Sequence, residues 1–242
     1  MSTWICKATV LGAVLAVAGC VDAPALRGPT PAATRSAPET IAVAGGAVVV
    51  GGPPGYCIDR GASRLRGDTG FVLLGSCASI ARDVAAGAPL VPGILTASVG
   101  AASVAGQPAL TDLDQLEALI TSPGGRATLA RDGRAESVKV FGTLREDGAL
   151  FVHLRDVSAN PTPGLDQTYW RGLFDLQGRL VTLSVVSFSN APLPPALALA
   201  TLEDFTARIH RETREQNNGK PAQTTANATP ARRKGLLGAL FR

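Results

Sequence analysis

Apolar and polar residues alternate most cleanly in the second half of the chain. From Ser137 to Leu144 (SVKVFGTL), Val138, Val140 and Leu144 alternate with Lys139 and Thr143. From Ala149 to Asp156 (ALFVHLRD), Leu150, Val152 and Leu154 alternate with His153 and Arg155. A period of two on both sides of Asp147-Gly148 predicts a β-hairpin, because Asp-Gly tolerates the positive φ angles of a tight turn. Phe141 and Phe151 fall on the polar side of the pattern. A second hairpin is predicted from Tyr169–Leu176, the turn Gln177-Gly178-Arg179, and Leu180–Phe188. There Val181, Leu183 and Val185 face one way, Thr182 and Ser184 the other.

Short unbroken apolar runs bounded by turn residues predict buried strands at Ile41–Val50 (IAVAGGAVVV), Phe71–Leu74 (FVLL) and Ile94–Val104. Between the first two, GGPPGYCIDR reads as a turn, since Gly and Pro break regular structure. Helical spacing appears twice. In Thr111–Ile120 (TDLDQLEALI), Leu113, Leu116 and Ile120 share a face. Thr111 is placed to N-cap, and Asp112 and Asp114 suit the positive end of the dipole. Ser122-Pro123-Gly124-Gly125 is expected to stop that helix. From about Pro195 to Glu215, Leu199, Leu202, Phe205 and Ile209 form a stripe, with Glu203, Arg208 and Arg211 outward. Proline in a first helical turn costs no hydrogen bond. The order of strands, helix, two hairpins and helix predicts an α+β domain over residues 41–215. Its sheet is expected to be largely antiparallel and covered on one face, with the C-terminal helix packed on it. This order of elements is similar to the PsbP-like fold, which occurs in exported lipoproteins.

The amino terminus changes the picture. Ala8–Gly19 (ATVLGAVLAVAG) is an uncharged run of 12 residues behind Lys7. At about 1.5 Å per residue it covers about 18 Å, short of a hydrocarbon core of about 30 Å and suited to a signal-peptide h-region. It closes with Val17-Ala18-Gly19-Cys20, which resembles the bacterial lipobox. The resemblance implies that residues 1–19 are a lipoprotein signal peptide and that Cys20 is the lipid attachment point, its thiol and amine acylated. The membrane would then be a partner through those acyl chains, with the domain facing the periplasm. Val21 rather than Asp follows Cys20, which points to the outer membrane over the inner. An ordinary cleavage site at Val21-Asp22-Ala23 fits less well, with Pro24 directly behind the cut. Residues 20–40 are rich in Pro and Ala and read as a tether.

Charge is concentrated at the other end. The chain carries a net +4. From Ala207 onward it has Arg208, Arg211, Arg214, Lys220, Arg232, Arg233, Lys234 and Arg242 against only Glu212 and Glu215. Residues 216–242 are polar and low in complexity, so a disordered tail is expected. Its tip, ARRKGLLGALFR, pairs a cluster of three cations, Arg232 to Lys234, with Leu236, Leu237, Leu240 and Phe241, a composition suited to contact with anionic lipid. No nucleic-acid partner is predicted.

Candidate chemistry is sparse. With Cys6 removed and Cys20 acylated, as the lipobox implies, Cys57 and Cys77 remain, 20 residues apart. In an oxidising compartment two such thiols are expected to form a disulfide. The alternative, a nucleophilic Cys77, needs a base, and the chain has only His153 and His210. Two cysteines and two distant histidines lack zinc-ligand spacing. Asp59, Asp68 and Asp83 are either a carboxylate site or solvated loop acids. Arg66-Gly67-Asp68 is read as coincidence. The glycines of GGAVVVGGPPG match neither G-x-G-x-x-G nor a P-loop, and Thr96–Gly100 lacks the first Gly of G-x-S-x-G. Trp170 is assigned to the core. GYCID (55–59) and FVLLGSC (71–77) resemble stretches of uncharacterised exported alphaproteobacterial proteins, a resemblance that implies no activity. The reading reached is a lipid-anchored, non-enzymatic binding or envelope-associated module with no catalytic residues, cofactor or metal. An exported hydrolase built around Cys77 or the loop acids is the alternative.

Overall fold

The computed structural model describes residues 37–103, 108–158 and 162–219. The expected signal peptide, Cys20, most of the tether and the tail beyond Gly219 lie outside the described residues. The chain forms β1 (Thr40–Val43), β2 (Val48–Gly51), β3 (Tyr56–Arg66), β4 (Thr69–Ser76), α1 (Cys77–Ala81) and β5 (Ile94–Ala102). After these come α2 (Leu113–Thr121), α3 (Pro123–Leu129), β6 (Val138–Glu146), β7 (Ala149–Asp156), β8 (Thr168–Asp175), β9 (Arg179–Val186) and α4 (Pro195–Gly219). Seven strands make one sheet in the order β3-β4-β5-β9-β8-β7-β6, and β1 and β2 pair separately. Every pairing is antiparallel. The protein is an α+β domain with its C-terminal helix packed on a large antiparallel sheet.

Both predicted hairpins form. Asp147 and Gly148 take the positive φ angles that Asp-Gly favours in a two-residue turn. Gln177 and Gly178 do the same between β8 and β9. The sheet is covered on both faces, however, rather than on one. On one face Val72, Leu74, Leu95, Ala97, Leu183 and Val185 pack with Leu202, Phe205 and Ile209 of α4 and Val48 and Val50 of β2. On the other, Leu150, Val152, Leu154, Tyr169 and Leu173 pack with Leu116, Ile120 and Leu129 of the α2–α3 pair. This explains Phe151: its side of β7 is a second buried face, so a simple apolar/polar alternation cannot hold there. Between Val140 and Gly142 the β6 register slips, so Leu144 pairs with Phe151 and leaves the face of Val138 and Val140.

Several local expectations are corrected or extended. Ile41–Val50 is two strands, not one: the chain reverses at Ala44, Gly45 and Gly46, all at positive φ. GGPPGYCIDR is a turn only as far as Gly55, since β3 begins at Tyr56. Ser122-Pro123-Gly124-Gly125 ends α2 as expected, and it also opens a second helix that the pattern did not predict. Ser122 closes α2, and its hydroxyl accepts from the Gly125 N–H at 3.1 Å to cap α3, with Pro123 in the first turn. The cap of α2 is Asp112, which accepts from the N–H groups of Asp114 and Gln115, rather than Thr111. At the C-terminus α4 continues past Glu215 to Gly219.

Candidate functional site

The predicted pair Cys57 and Cys77 is joined as a disulfide, S–S 2.04 Å, tying the start of β3 to the first residue of α1. The Cys77 N–H also donates to the Gly55 carbonyl at 2.9 Å. After one helical turn the chain leaves α1 through Arg82 in the left-handed region. Asp83 then caps a short 3-10 turn at Val84–Ala86 by accepting from the Ala85 N–H at 2.9 Å.

The segment returns across the end of the sheet and is pinned there. The Ala78 N–H donates to the Gly87 carbonyl at 2.7 Å, and the Tyr56 hydroxyl donates to the Val91 carbonyl at 2.6 Å. Burial pushes the Tyr56 phenol up to about 12, so it stays a donor across the working range. Gly55 sits at φ +83 with the Ala88 carbonyl carbon and oxygen 2.6 Å from where a Cβ would stand. Only glycine fits that crossing.

These contacts leave a groove of about 690 Å³. It opens on the sheet face that α2 and α3 cover elsewhere. Leu73, Gly75 and Ile94 form its floor, Ile80 and Arg82 one wall, Pro89 and Pro92 another, with Asp59 and Arg60 at the rim. Arg60 and Arg82 are exposed. The Asp59 carboxylate is occupied, because one oxygen accepts from the N–H groups of Gly61 and Ala62 at 2.8 and 3.0 Å. It thereby holds the β3 irregularity between Asp59 and Arg64.

The three candidate acids are taken up at three separate backbone sites. Asp59 serves the bulge, and Asp83 caps the turn after α1. Asp68 lies in the β3–β4 turn, pairs with Arg179 and accepts from the Ala102 N–H at 3.0 Å. Those hydrogen bonds, that of Arg179 first, hold the Asp68 carboxyl below the usual range. Arg66-Gly67-Asp68 is therefore a structural turn.

Neither histidine borders the groove. The His153 ring lies between Phe141, at 5.1 Å, and Trp170, at 4.8 Å. Burial lowers the pKa of His153. His210 stands against Phe174 at 4.9 Å and lines a hollow of about 470 Å³ with Glu146, Asp147, Glu203 and Asp204. Its pKa is lowered by burial and, secondarily, by Arg214. Cys77, bonded to Cys57, has no thiolate to offer, which removes the nucleophile of the alternative reading. Trp170 packs against the core half-buried, and its indole nitrogen has no hydrogen-bond partner among the described residues. Among those residues there is also no group of three or more His, Cys, Asp or Glu placed to hold a metal ion.

The sequence pointed to the disulfide but not to the groove. Its wall is the segment from Arg82 to Gly93, which reads only as a Gly- and Pro-bearing connection. Gly55, two residues before Cys57, was the available signal that another backbone crosses there. No family model, curated protein or solved structure matches the chain.

Proposed function

We propose that the protein is a lipid-anchored, periplasm-facing module of the bacterial cell envelope. Its binding surface in this reading is the groove between α1 and the β3–β5 end of the sheet. The observation that carries the reading is the Cys57–Cys77 disulfide, because the groove wall depends on a bond that persists in oxidising compartments. It agrees with export directed by Ala8–Gly19 and acylation at Cys20, and the acyl chains are the membrane partner. The groove combines an apolar lining, two exposed arginines and a carboxylate already committed to the backbone. Such a lining suits recognition of a partly apolar, anionic ligand better than proton transfer. Outer-membrane sorting through Val21, and contact of Ala231–Arg242 with anionic lipid, belong to the same proposal.

The test is metabolic labelling with a palmitate analogue in cells expressing the full chain or its Cys20→Ala variant. Label is expected on the wild type alone. Equal labelling of both, or none on either, defeats the anchor.

A further inference from the structure

Among the described residues two apolar side chains stand out. Leu90 is 101% exposed and Val84 92%, whereas the next most exposed large apolar residue, Leu119, is at 58%. Both belong to the loop that walls the groove. Exposure of this degree is the state of an extended chain, yet the loop is held in place. Gly87 is bonded to Ala78, Val91 to Tyr56, and the Ala88 carbonyl is pressed onto Gly55. Pro89 and Pro92 restrict it further. With the backbone held at these points, Leu90 projects outward.

The loop's charge pattern is equally uneven. From Val84 through Ala102 the chain has no charged residue. Exposed Arg60 and Arg82 flank the loop, while the adjacent Asp59 and Asp83 are half-buried and turned to backbone N–H groups, so the guanidiniums are the outermost charges beside it. Apolar tips beside two exposed guanidiniums match a lipid surface, whose acyl region lies beneath a layer of phosphates.

The place where the chain enters the fold points the same way. The Pro38 carbonyl accepts from the Ile58 N–H at 2.7 Å. Ile58 follows Cys57, which is bonded to Cys77 at the start of α1, and α1 leads into the loop. Pro38, on the Cys20 side of the domain in sequence, thus stands at the same corner of the sheet that displays Val84 and Leu90.

We infer that the loop from Val84 to Pro92 docks on the lipid bilayer, Val84 and Leu90 entering the boundary between headgroups and acyl chains and Arg60 and Arg82 lying at phosphate level. The inference rests on the lipid-anchored reading for its orientation. It turns the groove mouth toward the membrane and makes the anchored domain a bilayer-facing one, not a freely tumbling one.

The experiment uses the full chain as expressed, reconstituted into vesicles of phosphatidylethanolamine and phosphatidylglycerol with or without brominated acyl chains. Single variants Leu90→Trp and Leu119→Trp are compared with the wild type, whose own tryptophans set the background. Leu90→Trp is expected to add emission that brominated lipid quenches at least twofold more than that added by Leu119→Trp. Equal quenching at the two positions overturns the inference, whether or not Cys20 carries acyl label. Selective quenching at position 90 in protein that carries no label supports the loop contact and defeats the anchor instead.

Discussion

Arg179 and Asp68 stand 111 residues apart in sequence and meet in one ion pair at the tip of the sheet. The guanidinium, its side chain 8% exposed, also donates to the Asp68 carbonyl at 2.7 Å and the Gly100 carbonyl at 3.1 Å. One side chain at the start of β9 therefore holds both the β3–β4 turn and the end of β5. Removing it takes a donor from three acceptors, so Arg179→Ala is expected to cost about 2 kcal/mol in a urea titration. Asp68→Asn keeps an acceptor for the Ala102 N–H and leaves the two carbonyl contacts intact, so it costs less. An equal loss in the two variants would mean that the carboxylate alone carries the junction.

A second pair behaves differently because its acid is buried. The Asp156 side chain is inaccessible. Its carboxylate accepts from the Arg131 Nε at 3.0 Å, from the Ser158 N–H at 2.9 Å and from the Ser158 hydroxyl. Burial by itself raises the carboxyl pKa, but the hydrogen bonds from Ser158 and Arg131 outweigh it and the net shift is downward. A carboxyl depressed in the folded state adds stability above its unfolded value of about 3.9, and that stability is lost as pH falls through the lower folded value. Asp156→Ala is expected to cost about 3 kcal/mol at pH 7, since it strands Arg131 and two donors of Ser158. In thermal melts the gap between variant and wild type should narrow below about pH 4. A gap constant from pH 7 to pH 2 would assign the loss to packing.

What the sequence made legible divides along a physical line. The β6–β7 and β8–β9 hairpins, the stripe of α4 and the Cys57–Cys77 pairing depend on neighbours in sequence or on simple parity, and all of them appear. The long polar half of β3 was missed because GASRLR lies at a sheet edge. Ser63 is buried there while Arg64, Leu65 and Arg66 are exposed, so no apolar period marks the strand. Ser122-Pro123-Gly124-Gly125 does stop α2, but α3 behind it was not legible, because a helix of seven residues that opens on Pro-Gly-Gly carries little periodic signal and only the packing of two helices makes Gly125 indispensable. The groove needed Gly55, Tyr56 and Val91 to be seen in contact, which no local pattern encodes.

The α2–α3 joint gives a paired prediction on adjacent glycines. A Cβ on Gly125 would stand 1.9 Å from the Leu119 carbonyl oxygen and 2.6 Å from the Ile120 Cα. The same atom on Gly124 meets only the Ser122 hydroxyl, at 3.8 Å. Gly125→Ala must push the two helices apart and is expected to destabilise by about 3 kcal/mol. Gly124→Ala fills open space in a helical turn and should be neutral or stabilising by about 0.5–1 kcal/mol. Chemical denaturation of the two variants side by side checks this, and similar effects at both positions would contradict the close crossing.

The disulfide yields the prediction closest to function. Cys57 and Cys77 close a loop of 20 residues, worth about 3 kcal/mol through the entropy of the unfolded chain. The Cys57→Ser/Cys77→Ser double variant should therefore melt lower by about 6–12 °C for a domain of this size. Unfolded-state entropy would affect the whole domain evenly. The bond, however, also fastens α1, and α1 supports the groove wall through the Ala78–Gly87 and Asp83–Ala78 hydrogen bonds. Hydrogen exchange in the double variant is accordingly expected to speed up at the Ala78 and Asp83 amides well beyond the global loss measured at Leu183 in the middle of the sheet. Uniform acceleration would show that α1 keeps its place without the bond and that the groove does not depend on oxidation. Selective acceleration would make the shape of the groove conditional on an oxidising compartment.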